Sequence, residues 1–252
     1  MDACAPLPAE VEAAMLVSPY GRSTCAWQVG LLWLAAACLA AGLAWALPDR
    51  PQWALLGLLP FGSGLFVLSF YRDPERVGPS DPTLFLSPAD GVVTDIAEVD
   101  EPHYLGGRAL RIGIFLSPLN VHVNRVPVAG RVEYVQHFPG KCLPATGAGC
   151  IEENEALLLG LRTDLGLQIG LRQVTGALAR SIVCAARPGD RLERGQRYGM
   201  IKLGSRTELL VPANAGFQPA VAVGDAVRGG ETVLGGVSAP AHADAGAEEE
   251  RA

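Results

Sequence analysis

A few residues in this chain have types suited to chemistry rather than to packing. In "GMIKLGSRTELLVP" (199–212) a bare Gly204-Ser205 pair interrupts what otherwise reads as two β-strands. In "LSPADGVVTDI" Asp90 stands just before a glycine and a hydrophobic strand, and in "FLSPLNVHVNRVPVAG" His122 and Arg125 lie within a dense β run. Serine, histidine and aspartate together are the types that nucleophilic catalysis uses. A serine hydroxyl attacks poorly until a base takes its proton, and the base works best when a third group orients it. Singly, each has an ordinary explanation: an Asp before Gly is usually a turn residue, and a strand histidine is usually half buried. Their weight comes from occurring together.

The remaining composition narrows the chemistry. The six cysteines, at 4, 25, 38, 142, 150 and 184, show none of the paired spacing of a zinc or redox site and read as free thiols. The four histidines, His103, His122, His137 and His242, are scattered, so no metal is expected. A net charge of −6 with no basic patch argues against a nucleic-acid partner.

The elements that must position these residues begin with two uncharged apolar runs, 26–47 and 53–70, separated only by "PDRPQ". A bilayer core of about 30 Å needs roughly 20 apolar residues as a helix. Trp27, Trp33, Trp45 and Trp53 cluster near the ends of the runs, as at membrane interfaces. The runs therefore predict a membrane hairpin over 26–70 with both ends on one side, preceded by a tail over 1–25 too acidic for a cleaved signal peptide. Arg72 and Arg76 directly follow, which places that side in the cytoplasm and the chain in the cell (inner) membrane.

From residue 71 to about 237 short β-branched runs alternate with Gly, Pro and Asp. Strands are expected at 91–96, 109–116, 130–136, 167–174, 179–186 and 206–212. "GDRLERGQRYGMI" (189–201) and "GDAVRGGETVLGG" (224–236) form a weak internal repeat of the kind found in barrel-sandwich folds. The fold class is thus mostly β, a barrel-sandwich-like β domain preceded by an N-terminal transmembrane helical hairpin. The Ala- and Glu-rich stretch 238–252 is expected to be a disordered acidic tail.

From "FYRDPER" through "SPADGVV", "SPLNVHVNRVPVAG", "PGKCLPA" and "ENE" to "ARSIVCAARPGDRLERGQRYGMIKLGSR", the chain resembles the phosphatidylserine decarboxylase family, most closely its short, membrane-associated form. The resemblance implies an inactive precursor that cuts itself between Gly204 and Ser205 and converts Ser205 into a pyruvoyl group, its only cofactor. It implies two chains, β (1–204) and α (205–252), acting as a heterodimer on a membrane phospholipid. Asp90, His122 and Ser205 would be catalytic, with His122 also the proton donor in turnover, and Arg125 and Lys141 would bind the substrate phosphate or carboxylate. Longer members carry a second histidine where this chain has Arg125, so which group orients which is left open. The activity implied is decarboxylation of phosphatidylserine to phosphatidylethanolamine. A related serine phospholipid, an inactive membrane-anchored scaffold, a lysine-bearing carrier barrel ("MIKL") and a phosphotransfer or peptidase domain are the alternatives.

Overall fold

The computed structural model describes residues 17–141, 143, 153–176, 181–202 and 205–237. Helix α1 spans Arg22–Ala46, a 3₁₀ segment Pro51–Gly57 turns the chain, and α2 spans Leu58–Phe70. The two helical stretches, Arg22–Ala46 and Pro51–Phe70, are long and apolar enough to cross a membrane. Their large side chains, among them Trp27, Leu34, Trp45, Leu59 and Phe66, point outward. Small residues set their contact: a Cβ on Gly57 would meet the Ala36 carbonyl at 2.9 Å, and one on Gly64 would run into the Trp33 indole. Helix α1 starts four residues before the apolar run, because Cys25 is buried against Phe70, Tyr71 and Met200 at the base of the hairpin.

The strands are β1 (Leu84–Leu86), β2 (Gly91–Glu101), β3 (Gly107–Leu116), β4 (Val123–Arg125), β5 (Gly130–Phe138), β6 (Ala156–Thr163), β7 (Gln168–Val174), β8 (Ser181–Cys184), β9 (Arg191–Leu192), β10 (Arg197–Lys202), β11 (Ser205–Pro212), β12 (Phe217–Pro219), β13 (Ala226–Val227) and β14 (Val233–Val237). They form a curled sheet in the order β13-β2-β3-β11-β7-β6-β5-β9 and two three-stranded sheets, β1-β14-β12 and β4-β10-β8. The fold is mostly β, as the alternating runs imply. On β11 the period of two is visible: Leu209 and Val211 enter the main core, while Arg206 and Glu208 form an ion cluster on the other face with Asp95 and Arg111.

Two expectations are corrected. Gly204-Ser205 does not interrupt a strand pair: β10 pairs with β4 and β8, whereas β11 pairs with β3 and β7. The chain changes sheets there. The second is that a further strand, β6, "ALLLGLRT", stands outside the six expected runs, because burial of nearly every residue leaves a continuous aliphatic run with no alternation.

The Gly-Asp repeat is structural. Gly189 and Gly224 both take left-handed φ (+97° and +100°), each leads into a two-residue strand (β9, β13), and Gly195 and Gly230 repeat the positive φ before β10 and β14. The backbone bonds repeat too: Gly189 donates to the Val132 carbonyl and Gly224 to that of Val93, both at 2.8 Å. Each arm thereby grips the start of one long strand, β5 or β2. The expected acidic tail (238–252) and most of the N-terminal tail lie outside the described residues.

Candidate active site

The site is assembled by the strap that leaves α2, "FYRDPER" (70–76). The Phe70 ring lies 4.3 Å, centroid to centroid, from the His122 imidazole. Asp73, fully buried, accepts from Arg125 Nη2 at 2.9 Å and from Arg197 Nε at 2.7 Å, and Arg197 Nη2 also donates to Glu75 at 2.6 Å. Arg76 Nη2 donates to Asp90 Oδ2 at 2.9 Å. Buried charges are tolerated only when paired and hydrogen-bonded, so these contacts fix the strap against β4 and β10.

His122 precedes β4 and is completely buried. Its Nδ1 lies 2.9 Å from the Asn120 carbonyl. A carbonyl can only accept, so Nδ1 carries the proton and Nε2 is the basic nitrogen. Burial pushes the imidazole down to about 4; the Asn120 carbonyl raises it, Arg72 lowers it further and Asp90 raises it. At neutral pH His122 is therefore an uncharged base.

Ser205 opens β11 opposite Leu116, the last residue of β3. From Leu116 the chain turns through Ser117–Asn120, held by two bonds to Asn120 Oδ1 of 2.9 and 2.8 Å, and arrives at His122. On the other side, Ile201 N–H donates to the His122 carbonyl just before the chain crosses to Ser205. Asn124, two residues beyond His122, donates to Thr207 Oγ1 at 3.0 Å, two residues beyond Ser205, and accepts from Gln173 Nε2 at 2.6 Å. Ser205 is fully buried, and among the described residues its Oγ has no hydrogen-bond partner. Leaving a buried hydroxyl unsatisfied costs about 1–3 kcal/mol; Ser18, Gln173, Tyr198 and Glu208 also carry such atoms among the described residues, and of the five only Ser205 follows a glycine. Gly204 lies outside the described residues.

Asp90 sits at the head of β2, where Val92 and Arg206 flank Phe115 from either side, so the starts of β2 and β11 and the end of β3 meet. The hydrogen bonds of its carboxylate go to Arg76 and to the Gly229 N–H at 2.8 Å. Its effect on His122 is through charge. Arg125 is committed to Asp73, the Pro74 carbonyl and the Gly195 carbonyl. Lys141 is exposed, 2.7 Å from Glu153, whose carboxylate raises its pKa.

Comparison with known proteins completes the picture. The family described as phosphatidylserine decarboxylase matches residues 64–235. The chain belongs to that family. It is 49% identical over 184 residues to the phosphatidylserine decarboxylase proenzyme of Symbiobacterium thermophilum, covering 73% of this chain and 84% of the relative. The proenzyme of Chlorobium luteolum is 40% identical over 219 residues, 87% of this chain and 99% of the relative. Phosphatidylserine decarboxylases are carboxy-lyases, and this chain carries the family's match across the strap and the whole β domain. For three contributors to the site the sequence shows the residue within a family motif but not the role it takes. Asn120 acts through its side chain on Ser117 and through its backbone carbonyl on His122, and Arg76 and Asp73 find their partners only in the folded chain.

Proposed function

We propose that this protein decarboxylates phosphatidylserine to phosphatidylethanolamine at the inner membrane, with its β domain on the cytoplasmic side, after cutting itself at Gly204-Ser205. The observation that carries the reading is the buried Ser205 Oγ, without a hydrogen-bond partner among the described residues, opening the strand that follows the change of sheet four residues after Ile201, whose N–H bonds the His122 carbonyl. His122 Nε2 takes the Ser205 hydroxyl proton, and Oγ attacks the Gly204 carbonyl carbon. The Gly204–Ser205 C–N bond breaks and an ester to Oγ forms. Removal of the Ser205 α-proton expels the Gly204 carboxylate, and water converts the resulting dehydroalanine to a pyruvoyl group with release of ammonia. Glycine before the cut tolerates the backbone conformation that lets the hydroxyl approach.

When formed, the pyruvoyl group supplies an electron sink for the serine α-carbon as carbon dioxide leaves. The buried position of Ser205 fits such a group, since bulk water is kept from it. His122 returns a proton to the α-carbon. The anionic substrate raises the imidazole pKa while bound, so the residue that serves as a base in cutting serves as an acid in turnover. Asp90 holds Arg76 and the Gly229 turn in register with the site and adds negative charge near His122. Arg125 stands where longer relatives have histidine. We assign it to fastening the strap, because an anion ligand would have to break the Asp73 pair.

Intact mass tests the reading. The wild type should separate under denaturing conditions into chains of 204 and 48 residues (252 − 204), the latter with a blocked terminus, while Ser205→Ala stays whole. An uncut wild-type chain that releases carbon dioxide from phosphatidylserine would overturn it.

A further inference from the structure

The arginines around His122 are not alike. Arg76 is bound to Asp90, and Arg125 and Arg197 to Asp73. Arg72 has no such partner: its bonds go to the Ser69 carbonyl at 2.7 Å, Ser69 Oγ at 3.1 Å and the Leu119 carbonyl at 2.5 Å. Among the described residues no carboxylate lies within ion-pair distance of it. It sits two residues beyond α2, where a hairpin of this length meets the lipid headgroups. Neutral oxygens hold the guanidinium in place without cancelling its charge, and Arg is the side chain best shaped to take two phosphate oxygens.

Ending at Tyr71, the chain neighbour of Arg72, an apolar groove of about 340 Å³ lies between α1 and α2, lined by Leu31, Leu32, Phe66, Val67 and Phe70, with Gln28 and Tyr71 as its polar members. That is within the roughly 300–1,000 Å³ of small-molecule sites. Phe70 belongs to both places, since it lines the groove and its ring lies against His122. Lys202, at the end of β10, reaches Thr24 Oγ1 of α1 at 3.4 Å, adding a second cation at the base of the hairpin.

We infer that the hairpin and the strap form a binding site for one phospholipid molecule, its acyl chain in the α1–α2 groove and its phosphate on Arg72, so that the headgroup is delivered past Phe70 to His122. The inference rests on the phospholipid reading above and names the residues that would select and orient the substrate. The groove explains why the hairpin is joined to the β domain by a rigid strap rather than a flexible linker: the depth of the lipid is then fixed relative to the catalytic residues.

The test uses the full chain in nanodiscs containing phosphatidylserine in a phosphatidylcholine background, as wild type, Arg72→Gln, Arg72→Lys and Val67→Trp. Self-cleavage, kcat, KM as phosphatidylserine mole fraction, and phospholipid retained per chain in native mass spectra are recorded. Loss of a charge-assisted bond should raise KM roughly tenfold to a hundredfold in Arg72→Gln, a larger effect than that on kcat, which loses only the Arg72 charge near His122. Arg72→Lys should recover most of the loss. Val67→Trp, filling the groove, should lose the retained lipid. Unchanged KM and retention in Arg72→Gln would overturn the site. If Arg72→Gln is not cut, failure of Arg72→Lys to restore binding would overturn it equally. A wild type that retains one phospholipid but releases no carbon dioxide would sink the proposed reaction and leave the lipid site standing; normal turnover in Arg72→Gln would do the reverse.

Discussion

At the scale of single residues, the proposed reaction would give His122 two tasks with opposite proton requirements, and its burial favours one of them. A neutral imidazole held down to about 4 is a ready base across the physiological range. If it takes the Ser205 proton, the self-cleavage rate of precursor made in a cell-free system should stay flat from pH 8 to about 5 and fall by half near pH 4. A half-point near 6.5 would show that the base is solvated or is another group. The sign for stability follows from the same shift. The folded pKa lies below the unfolded value, so between about 4 and 6.5 the unfolded chain binds more protons. The contribution of His122 is thus fully present above 6.5 and lost as the pH falls toward 4. A denaturant series on Ser205→Ala, which stays a single chain, should show that decline, and His122→Gln should flatten it.

Among the elements, the strap links membrane to chemistry, and its fastening is ionic. Asp73 is fully buried and holds two guanidiniums, whereas the Glu75 side chain is half exposed and holds one. Removing one member of a buried set leaves charge uncompensated, at about 3–5 kcal/mol, while an exposed pair is worth about 1 kcal/mol or less. Asp73→Asn should therefore lower the Tm of the detergent-solubilised protein far more than Glu75→Gln and slow self-cleavage, because Arg125 and Arg197 are anchored on the strands beside His122. Equal Tm values for the two variants would refute an ionic fastening. This element also shows what the sequence could and could not reveal. The helices were legible because length and absence of charge alone define them, and β2, β3, β5, β7 and β11 because alternation and β-branching mark them. Ser205, His122 and Asp90 stood out by residue type. The strap reads in the sequence as membrane-flanking charges and as the first stretch of the family resemblance, while its ion pairs are hidden, since Asp73 meets Arg197 across 124 positions of sequence. Strand neighbours were hidden for the same reason, and so the crossing at Gly204-Ser205 looked like a broken hairpin rather than a change of sheet.

For the whole molecule, the position of the proposed cut would decide what the two chains do afterwards. The 48-residue α-chain would begin with β11, which is not an edge strand. It is paired with β3 from Ser205↔Leu116 to Pro212↔Ala109 and with β7 from Arg206↔Val174 to Leu210↔Gly170. Beyond it, β13 pairs with β2, and β14 lies between β1 and β12. Leu209, Val211, Phe217, Val227, Leu234 and Val237 contribute to the core shared with the β-chain. Losing the Gly204–Ser205 bond removes one covalent link but none of these strand pairings from β11 onward, and buried apolar area is worth about 25 cal/mol per Å². The chains should therefore co-elute on size exclusion in mild detergent and separate only in denaturant, with cut protein unfolding in one cooperative transition. The new terminus would then stay seated on β3 opposite Leu116, with the next residue held between β3 and β7, which is what a cofactor made from Ser205 requires. Release of the α-chain from cut protein in mild detergent, with the β-chain remaining folded, would mean that the pairing around β11 does not survive processing.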